Sequence, residues 1–166
     1  GVANAAAQPV TGLAAIHAAG ANLEDSRMAI LGGEFALIAL VGGTETATAK
    51  VTAAATELER SLGLRVVTRP TQRSGERRAF LLYRLDVTGV DRPGIVHTVT
   101  EVLVTHGINV AALETRVAFA PHSGTPMFSL EADIQVPTAT ALGTLRSALA
   151  EACDADNLDF QLEAVR

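Results

Sequence analysis

The residues best placed to do chemistry form one short turn, Asp91-Arg92-Pro93-Gly94, between an apolar stretch and a helical one. Asp91 could cap the helix or pair with a ligand amine, and Arg92 offers a planar fork that suits a carboxylate. Pro93 is tolerated in a first helical turn, and Gly94 lets a ligand approach the backbone. The amides and dipole of a helix that begins at Ile95 favour an anion. The turn predicts a site for a zwitterion such as an amino acid, and a plain helix cap beside a surface charge stays the alternative.

A second polar group follows where the next strand is predicted to begin. We expect Asn109 and Val110 to lie beside the turn, where the Asn109 amide could contact a ligand or simply hold the turn. The same pattern occurs earlier in the chain, because Gly20-Ala21-Asn22-Leu23 resembles Gly107-Ile108-Asn109-Val110. The repetition makes Asn22 and Leu23 candidate binding residues as well, with a role common to both copies that could be structural.

The elements around each copy also repeat, which predicts two α+β modules. A helical stretch precedes each copy, and a strand pair, a second helix and a closing strand follow it. The expected strands are 21–31, 35–41 and 64–69 in the first half, and 79–90, 108–119, 128–136 and 158–165 in the second. The expected second helices are 44–62 and 138–152. The order in the second half is β-α-β-β-α-β, the ferredoxin-like arrangement.

The first module is expected to lack its opening strand, because the segment that would match residues 79–90 falls largely before residue 1. Residues 1–70 are assigned to this incomplete module, 71–78 to a linker and 79–166 to the second module. We expect another segment or chain to fill the gap. The four-stranded sheet of the second module is expected to have two helices on one face and an apolar opposite face. That face would pack on the other module or a second chain, which predicts paired modules or a homodimer.

Composition and charge exclude several classes of protein. Hydrophobic residues are 48% of the 166, which supports a folded core, and the net charge of −5 disfavours direct nucleic-acid binding. The basic cluster is interpreted as a solvated linker; it comprises Arg65, Arg69, Arg73, Arg77 and Arg78, interrupted by Glu76. The single cysteine, Cys153, allows no internal disulfide and is expected to be buried or half-buried. No apolar run is long enough to span a membrane, so a cytoplasmic location is the default.

Catalysis finds little support in the sequence. The four histidines, His17, His97, His106 and His122, show no metal-ligand spacing, and neither a phosphate-binding loop nor a Gly-x-Ser-x-Gly elbow occurs. Strand aromatics do not form the stacking pattern of an RNA-binding module. We therefore expect a non-enzymatic protein with no catalytic residues, no cofactor and no metal.

The segments described above resemble a known family. The run VTGVDRPGIVHTVTEVLVTHGINVAALETRV resembles an ACT domain, a ligand-sensing ferredoxin-like module, and ANLEDSRMAILGGEFALIALV resembles the middle of another. The long hairpin APHSGTPMFSLEADIQVP resembles the second module of tandem ACT proteins of the glycine cleavage system transcriptional repressor family. The Asp-Arg-Pro-Gly turn is shared by many ACT proteins, so it indicates the fold better than the subfamily.

The resemblance implies where an effector binds and how the protein acts. In ACT domains, effectors commonly bind between paired modules, at the turn that is Asp91–Ile95 here and at the strand start that is Asn109 and Val110 here. The first module has no matching turn and keeps only Asn22 and Leu23. Members of the repressor family act by binding partner proteins, notably a transcriptional activator, rather than by binding DNA. The resemblance thus implies a regulator of glycine and one-carbon metabolism that senses a small, glycine-like amino acid.

One alternative function stays open at this stage. Similar turns occur in the regulatory ACT portions of enzymes such as formyltetrahydrofolate deformylase and phosphoserine phosphatase, where a catalytic domain is fused to the module. On that interpretation a catalytic domain would have to lie outside this sequence.

Overall fold

The computed structural model describes residues 8–72 and 79–166. The chain divides into two compact units, Gly1–Gln72 and Arg73–Arg166. Unit 1 contains α1 (Gln8–Ala18), β1 (Asn22–Leu31), β2 (Glu34–Gly42) and α2 (Glu45–Leu62). Unit 2 contains β3 (Phe80–Val90), α3 (Ile95–Thr105), β4 (Asn109–Phe119), β5 (Pro126–Pro137), α4 (Leu142–Ala155) and β6 (Asp159–Ala164). Most of the expected linker, with Arg73, Arg77 and Arg78, lies outside the described residues, so its bounds remain a prediction.

Unit 2 has the predicted ferredoxin-like order. Its four strands form one antiparallel sheet in the order β4-β5-β3-β6. One predicted boundary is wrong, because α4 begins at Leu142 and not at residue 138. The Thr138 amide donates to the carbonyl of Ala79, and the Thr140 amide donates to that of Pro137. These bonds hold a turn, which leaves Ala141 as the exposed N-cap of α4.

The core of unit 2 lies between the sheet and its two helices. Alternate residues of β3 and β5 are buried, and they meet one apolar face of α3 and one of α4, as the sequence periodicity predicts. The largest of the fully buried side chains are Leu85, Val87, Ile95, Val99, Leu103, Leu130, Ile134, Leu145, Leu149 and Cys153. Burial raises the pKa of the Cys153 thiol. The expectation of a buried cysteine is confirmed, and its thiol is kept in the protonated, unreactive form.

The opposite face of this sheet is not apolar, so that expectation is wrong. Strand alternation places Arg84 opposite Asp133 and Asp86 opposite Glu131 on the face away from the helices. The Arg84 Nε atom donates to Asp133 Oδ1 at 2.8 Å, and Arg84 Nη1 lies 3.9 Å from Glu131 Oε2. Glu163 of β6 also pairs with Arg84 in the register. A charged face can remain in water, so it gives no reason to expect a covering copy of the chain.

Unit 1 is a smaller version of the same arrangement. Its sheet has two strands, β1 and β2, which confirms that the first module has fewer strands than the second. Thr44 caps α2 by accepting a hydrogen bond from the Ala47 amide at 3.2 Å, and Gly63 ends the helix in a left-handed conformation. Among the residues described in this unit, only Ala47 and Ala55 are buried hydrophobics.

The expected closing strand of unit 1 at residues 64–69 is not a strand in the structure. In unit 2 the closing strand β6 pairs with the opening strand β3 and with no other described strand. Within residues 8–72 no such opening strand is present, so the closing segment has no ladder partner. Its Val66 amide instead donates to Glu59 Oε1 at 2.7 Å.

The helices of both units are shorter or more polar than a bilayer requires. Across residues 8–72 and 79–166, none of them has both the length and the apolar character needed to cross a membrane.

The charged face of the unit 2 sheet, which lies away from the helices, leads to a prediction about how stability depends on pH. Burial and then the neighbouring Glu131 carboxylate raise the pKa of Asp86, so the folded state disfavours the charged form. Like charges directly opposite across strands cost about 0.2–1 kcal/mol. We expect Asp86→Asn to increase the free energy of unfolding by that amount at pH 7, as measured by urea denaturation. The gain should disappear as the pH falls below the ordinary range of an aspartate, where Asp86 is protonated in both states.

Asp133→Asn is the matched control for this prediction. It removes a carboxylate from the same face, but one that accepts a hydrogen bond from Arg84. It should therefore give no stabilisation at pH 7. An Asp86→Asn variant that is no more stable than the parent at neutral pH would contradict the argument.

Candidate functional site

The turn after β3 is fixed at both of its ends. The Asp91 amide donates to the carbonyl of Pro126 at 2.9 Å, which closes the end of the β3–β5 pair. On the other side, Ile95 is buried in the core and begins α3, and the Thr98 amide donates to the Gly94 carbonyl at 2.9 Å. Between these anchors Arg92, Pro93 and Gly94 are exposed. The turn is therefore a short exposed segment whose two ends are fixed by the sheet and by α3.

The start of α3 differs from the sequence prediction. Its N-cap is Gly94, not Asp91, and Pro93 lies before the helix, not in its first turn. Gly94 has a φ of 93°, a left-handed conformation that strains any residue with a Cβ. Glycine has no side chain to cap the helix, so the first amides of α3 have no side-chain partner from the cap. Replacing Gly94 would strain the turn as well as crowd a ligand, which makes it a poor test of binding.

Arg92 is neither a free fork nor an isolated surface charge. Its Nη2 atom lies 2.9 Å from Asp156 Oδ1, and Asp156 Oδ2 accepts a hydrogen bond from Thr98 Oγ1 at 3.0 Å. The side chains of Arg92 and Asp156 are 40% and 31% exposed. Asp156 and Thr98 are thus part of the site, although sequence reasoning did not identify them.

Asp156 is held in place by the end of α4. It is the C-cap residue of that helix, and Asn157 follows in a left-handed conformation with a φ of 51°. The Leu158 amide then donates to the Cys153 carbonyl at 2.8 Å, and the Leu158 side chain enters the core. This C-terminal turn fixes the backbone of Asp156 and directs its carboxylate towards Arg92.

A signal for this turn was present in the sequence. The end of α3 uses the same device, since Gly107 has a φ of 67° and the Ile108 amide donates to the Leu103 carbonyl at 2.9 Å. Asn is the residue that most often replaces glycine in a left-handed helix cap. Asn157-Leu158 could therefore have been aligned with Gly107-Ile108 within the second module.

A glycine near the end of β3 allows the two turns to approach each other. A Cβ atom added to Gly89 would lie 2.5 Å from Leu158 Cδ2 and 3.3 Å from the Asn157 carbonyl oxygen. The absence of a side chain at Gly89 therefore lets the turn after α4 pack directly on β3. Asp156 comes within reach of Arg92 as a result.

Asn109 does not lie beside the turn, so that expectation is wrong. It pairs with Gln135 across β4–β5, and Gln135 pairs in turn with Leu82 near the start of β3. The turn follows Val90 at the other end of β3, roughly 25 Å away at about 3.3 Å per residue. The reason is topological, because α3 returns the chain to the end of the sheet where β3 began.

The remaining predicted binding residues have local partners of their own. Asn109 donates its side-chain amide to Gln135 Oε1 at 2.7 Å, and Val110 is half-buried against the core. Asn22 and Leu23 begin β1 in unit 1. Of the residues predicted to bind a ligand, unit 2 therefore brings together only those from Asp91 to Ile95.

The structure also bears on metal binding. In the part of the chain that the structure describes, no group of three or more His, Cys, Asp or Glu side chains could hold a metal ion. The His106 ring nitrogen Nδ1 lies 2.8 Å from the Val102 carbonyl, and His97 Nε2 lies 3.7 Å from Glu101 Oε2. These two histidines thus contact neighbours on their own helix.

Comparison with known proteins gives a consistent result. Residues 13–69 and 83–150 each match an ACT domain family. An unknown protein from Galdieria sulphuraria has a similar structure, with 29% identity, a TM-score of 0.77, and coverage of 96% of this chain and 91% of that one. A structure described as a "putative glycine cleavage system transcriptional repressor" has 20% identity, a TM-score of 0.71, and coverage of 95% and 89%. No curated protein matches the sequence.

The contact at Gly89 predicts a sharp difference between two glycine substitutions. We expect Gly89→Ala to lower the free energy of unfolding by about 1–3 kcal/mol, because the new Cβ overlaps Leu158 in a packed core. Gly143→Ala is the matched control, since a Cβ added there would have no atom within 4 Å and alanine favours the helix. Urea denaturation of both variants measures the difference. Equal stabilities would show that the approach of the two turns does not depend on Gly89.

Proposed function

We propose, from the premise that this chain is a tandem ACT-domain protein, that it is a non-catalytic regulator that senses a small amino acid. The observation that carries the proposal is the turn from Asp91 to Ile95. It exposes a guanidinium beside a helix start whose cap has no side chain. Such a helix start favours a carboxylate through its amides and its dipole. The effector site is therefore assigned to this turn.

The charges at the turn suit a zwitterion. Arg92 can bind the carboxylate of an amino acid, and the partly exposed Asp91 lies next to it in sequence and can accept the ammonium group. Pro93 and Gly94 leave little side-chain bulk between them, so an amino acid can approach the backbone of the turn closely. Glycine is the first amino acid to test.

One structurally similar protein supports the choice of glycine and a role in transcription. The full-length fold match includes the structure described as a "putative glycine cleavage system transcriptional repressor". That likeness is one of fold, so it suggests a hypothesis and the turn supplies the physical argument. We propose that the chain regulates transcription of glycine and one-carbon genes by binding a protein partner such as a transcriptional activator. Its net charge of −5 favours a protein partner over direct contact with DNA.

The distance between the turn and Asn109 suggests how a complete site is built. One module presents these two elements at opposite ends of its sheet, so a single ligand cannot contact both. We propose that Asn109 from a second copy of the chain approaches the turn in a homodimer. The proposal therefore links effector binding to self-association.

Calorimetric titration tests the effector. We expect glycine to bind the folded protein, and Arg92→Gln to weaken that binding about tenfold or more, since a hydrogen bond to a charged group is worth about 1.5–3 kcal/mol. Arg116→Gln is the control, because Arg116 is an exposed β4 residue paired loosely with Glu114 at 3.7 Å. It should leave affinity unchanged. Absence of heat with glycine, alanine and serine would argue against the proposed function.

Light scattering tests the assembly. At micromolar concentration we expect a mass of twice the 17.2 kDa chain, with a larger dimer fraction when glycine is present. Asn109→Ala should weaken the glycine dependence of that fraction. A single-chain mass with and without glycine would oppose the homodimer.

A further inference from the structure

We infer that Asp156 is a specificity-determining residue of the turn, which competes with the carboxylate of the ligand for Arg92 and thereby selects zwitterions over simple carboxylates. The inference rests on the proposed function, since it concerns the same turn. Asp156 is far from the Asp91-Arg92-Pro93-Gly94 turn in sequence, and it comes close to Arg92 only in the folded unit.

The first step is that Arg92 already has a carboxylate partner. Asp156 Oδ1 lies 2.9 Å from Arg92 Nη2, and Asp156 Oδ2 accepts the hydroxyl of Thr98. The two carboxylate oxygens are thus held by the turn and by α3 respectively. An incoming carboxylate must take the place of Asp156 at Arg92 or share the guanidinium with it.

The second step is that the exchange is feasible. The Arg92 and Asp156 side chains are 40% and 31% exposed, so their attraction is screened and of the modest size found for pairs near the surface. After release, Asp156 keeps its bond to Thr98 Oγ1 and gains water. No charge is stranded in a dry interior, so the competition lowers the affinity of a ligand without preventing its binding.

The third step is the charge balance at the turn. Asp156 pairs with the Arg92 guanidinium and Asp91 is its neighbour in sequence, so these three side chains together carry a charge of −1. A simple carboxylate such as acetate would bring the total to −2, and it would displace Asp156 without offering it a new cation. Glycine leaves the total at −1, and its ammonium group can pair with the displaced carboxylate. Asp156 therefore penalises acetate more than glycine.

Titration of the full chain with glycine and with acetate tests the inference. We expect the parent protein to bind glycine more tightly than acetate. In Asp156→Asn, glycine should bind about two- to fivefold more tightly, because the competing ion pair is lost. Acetate should gain by a larger factor, so the ratio of the two affinities narrows. Asn is well tolerated at a helix end, and Asp156→Ser provides a second variant if Asp156→Asn does not fold.

Asp154→Asn is the charge-matched control. Asp154 is exposed near the end of the same helix, and its replacement removes one negative charge while leaving Asp156 on Arg92. It should change neither the glycine affinity nor the ratio appreciably.

Two outcomes would overturn the inference, and they differ in what else they overturn. If the parent binds glycine and Asp156→Asn behaves like Asp154→Asn, Asp156 is not a competitor and the proposed function stands. If neither the parent nor the folded Asp156 variants bind any of the amino acids tested, the proposed function fails and the inference fails with it.

Discussion

The central position of β3 is the constraint on which the second unit depends. This strand is hydrogen-bonded to β5 along its whole length and to β6 from Tyr83 to Thr88, so both neighbours are aligned by it. Its inward residues Tyr83, Leu85 and Val87 lie in the buried cluster with both helices. The point where β3 ends also sets the position of the turn and the start of α3. The packing of the core, the order of the strands and the position of the candidate site thus all depend on β3.

The same strand explains why the two units differ. Unit 1 has the helix, the strand pair and the second helix of the repeat, but its described residues include no strand in the position of β3. Its closing segment consequently has no ladder, and buried hydrophobic residues are few. In the ferredoxin-like unit 2, the opening strand lies between two other strands and pairs with both. A module without that strand therefore loses two strand pairings.

Much of this fold could be predicted from the sequence because it depends on local periodicity. The buried faces of α3 and α4 and the alternation of β5 follow from residue spacing, and Gly107 follows from the need to end a helix. The candidate site was only partly predictable. Asp91–Ile95 is contiguous, whereas Asp156 reaches Arg92 through a packed turn. The distance of Asn109 from the turn arises because β4 begins at the end of the sheet where β3 also begins. Gly94 has a positive φ and is therefore the non-helical residue that precedes α3, its N-cap. Residue type alone predicts that position only weakly.

One strand of unit 1 has a consequence for the handling of the protein. From Phe35 to Val41, β2 carries no charged residue, and its central Ile38 is 73% exposed. Natural proteins usually guard such strands with lysine, proline or a bulge, because an unguarded one is a template for non-native strand pairing. Among the described strands, β2 pairs with β1 alone. Aggregation of partly folded chains during expression or refolding would therefore start from this strand before any part of the charged sheet of unit 2.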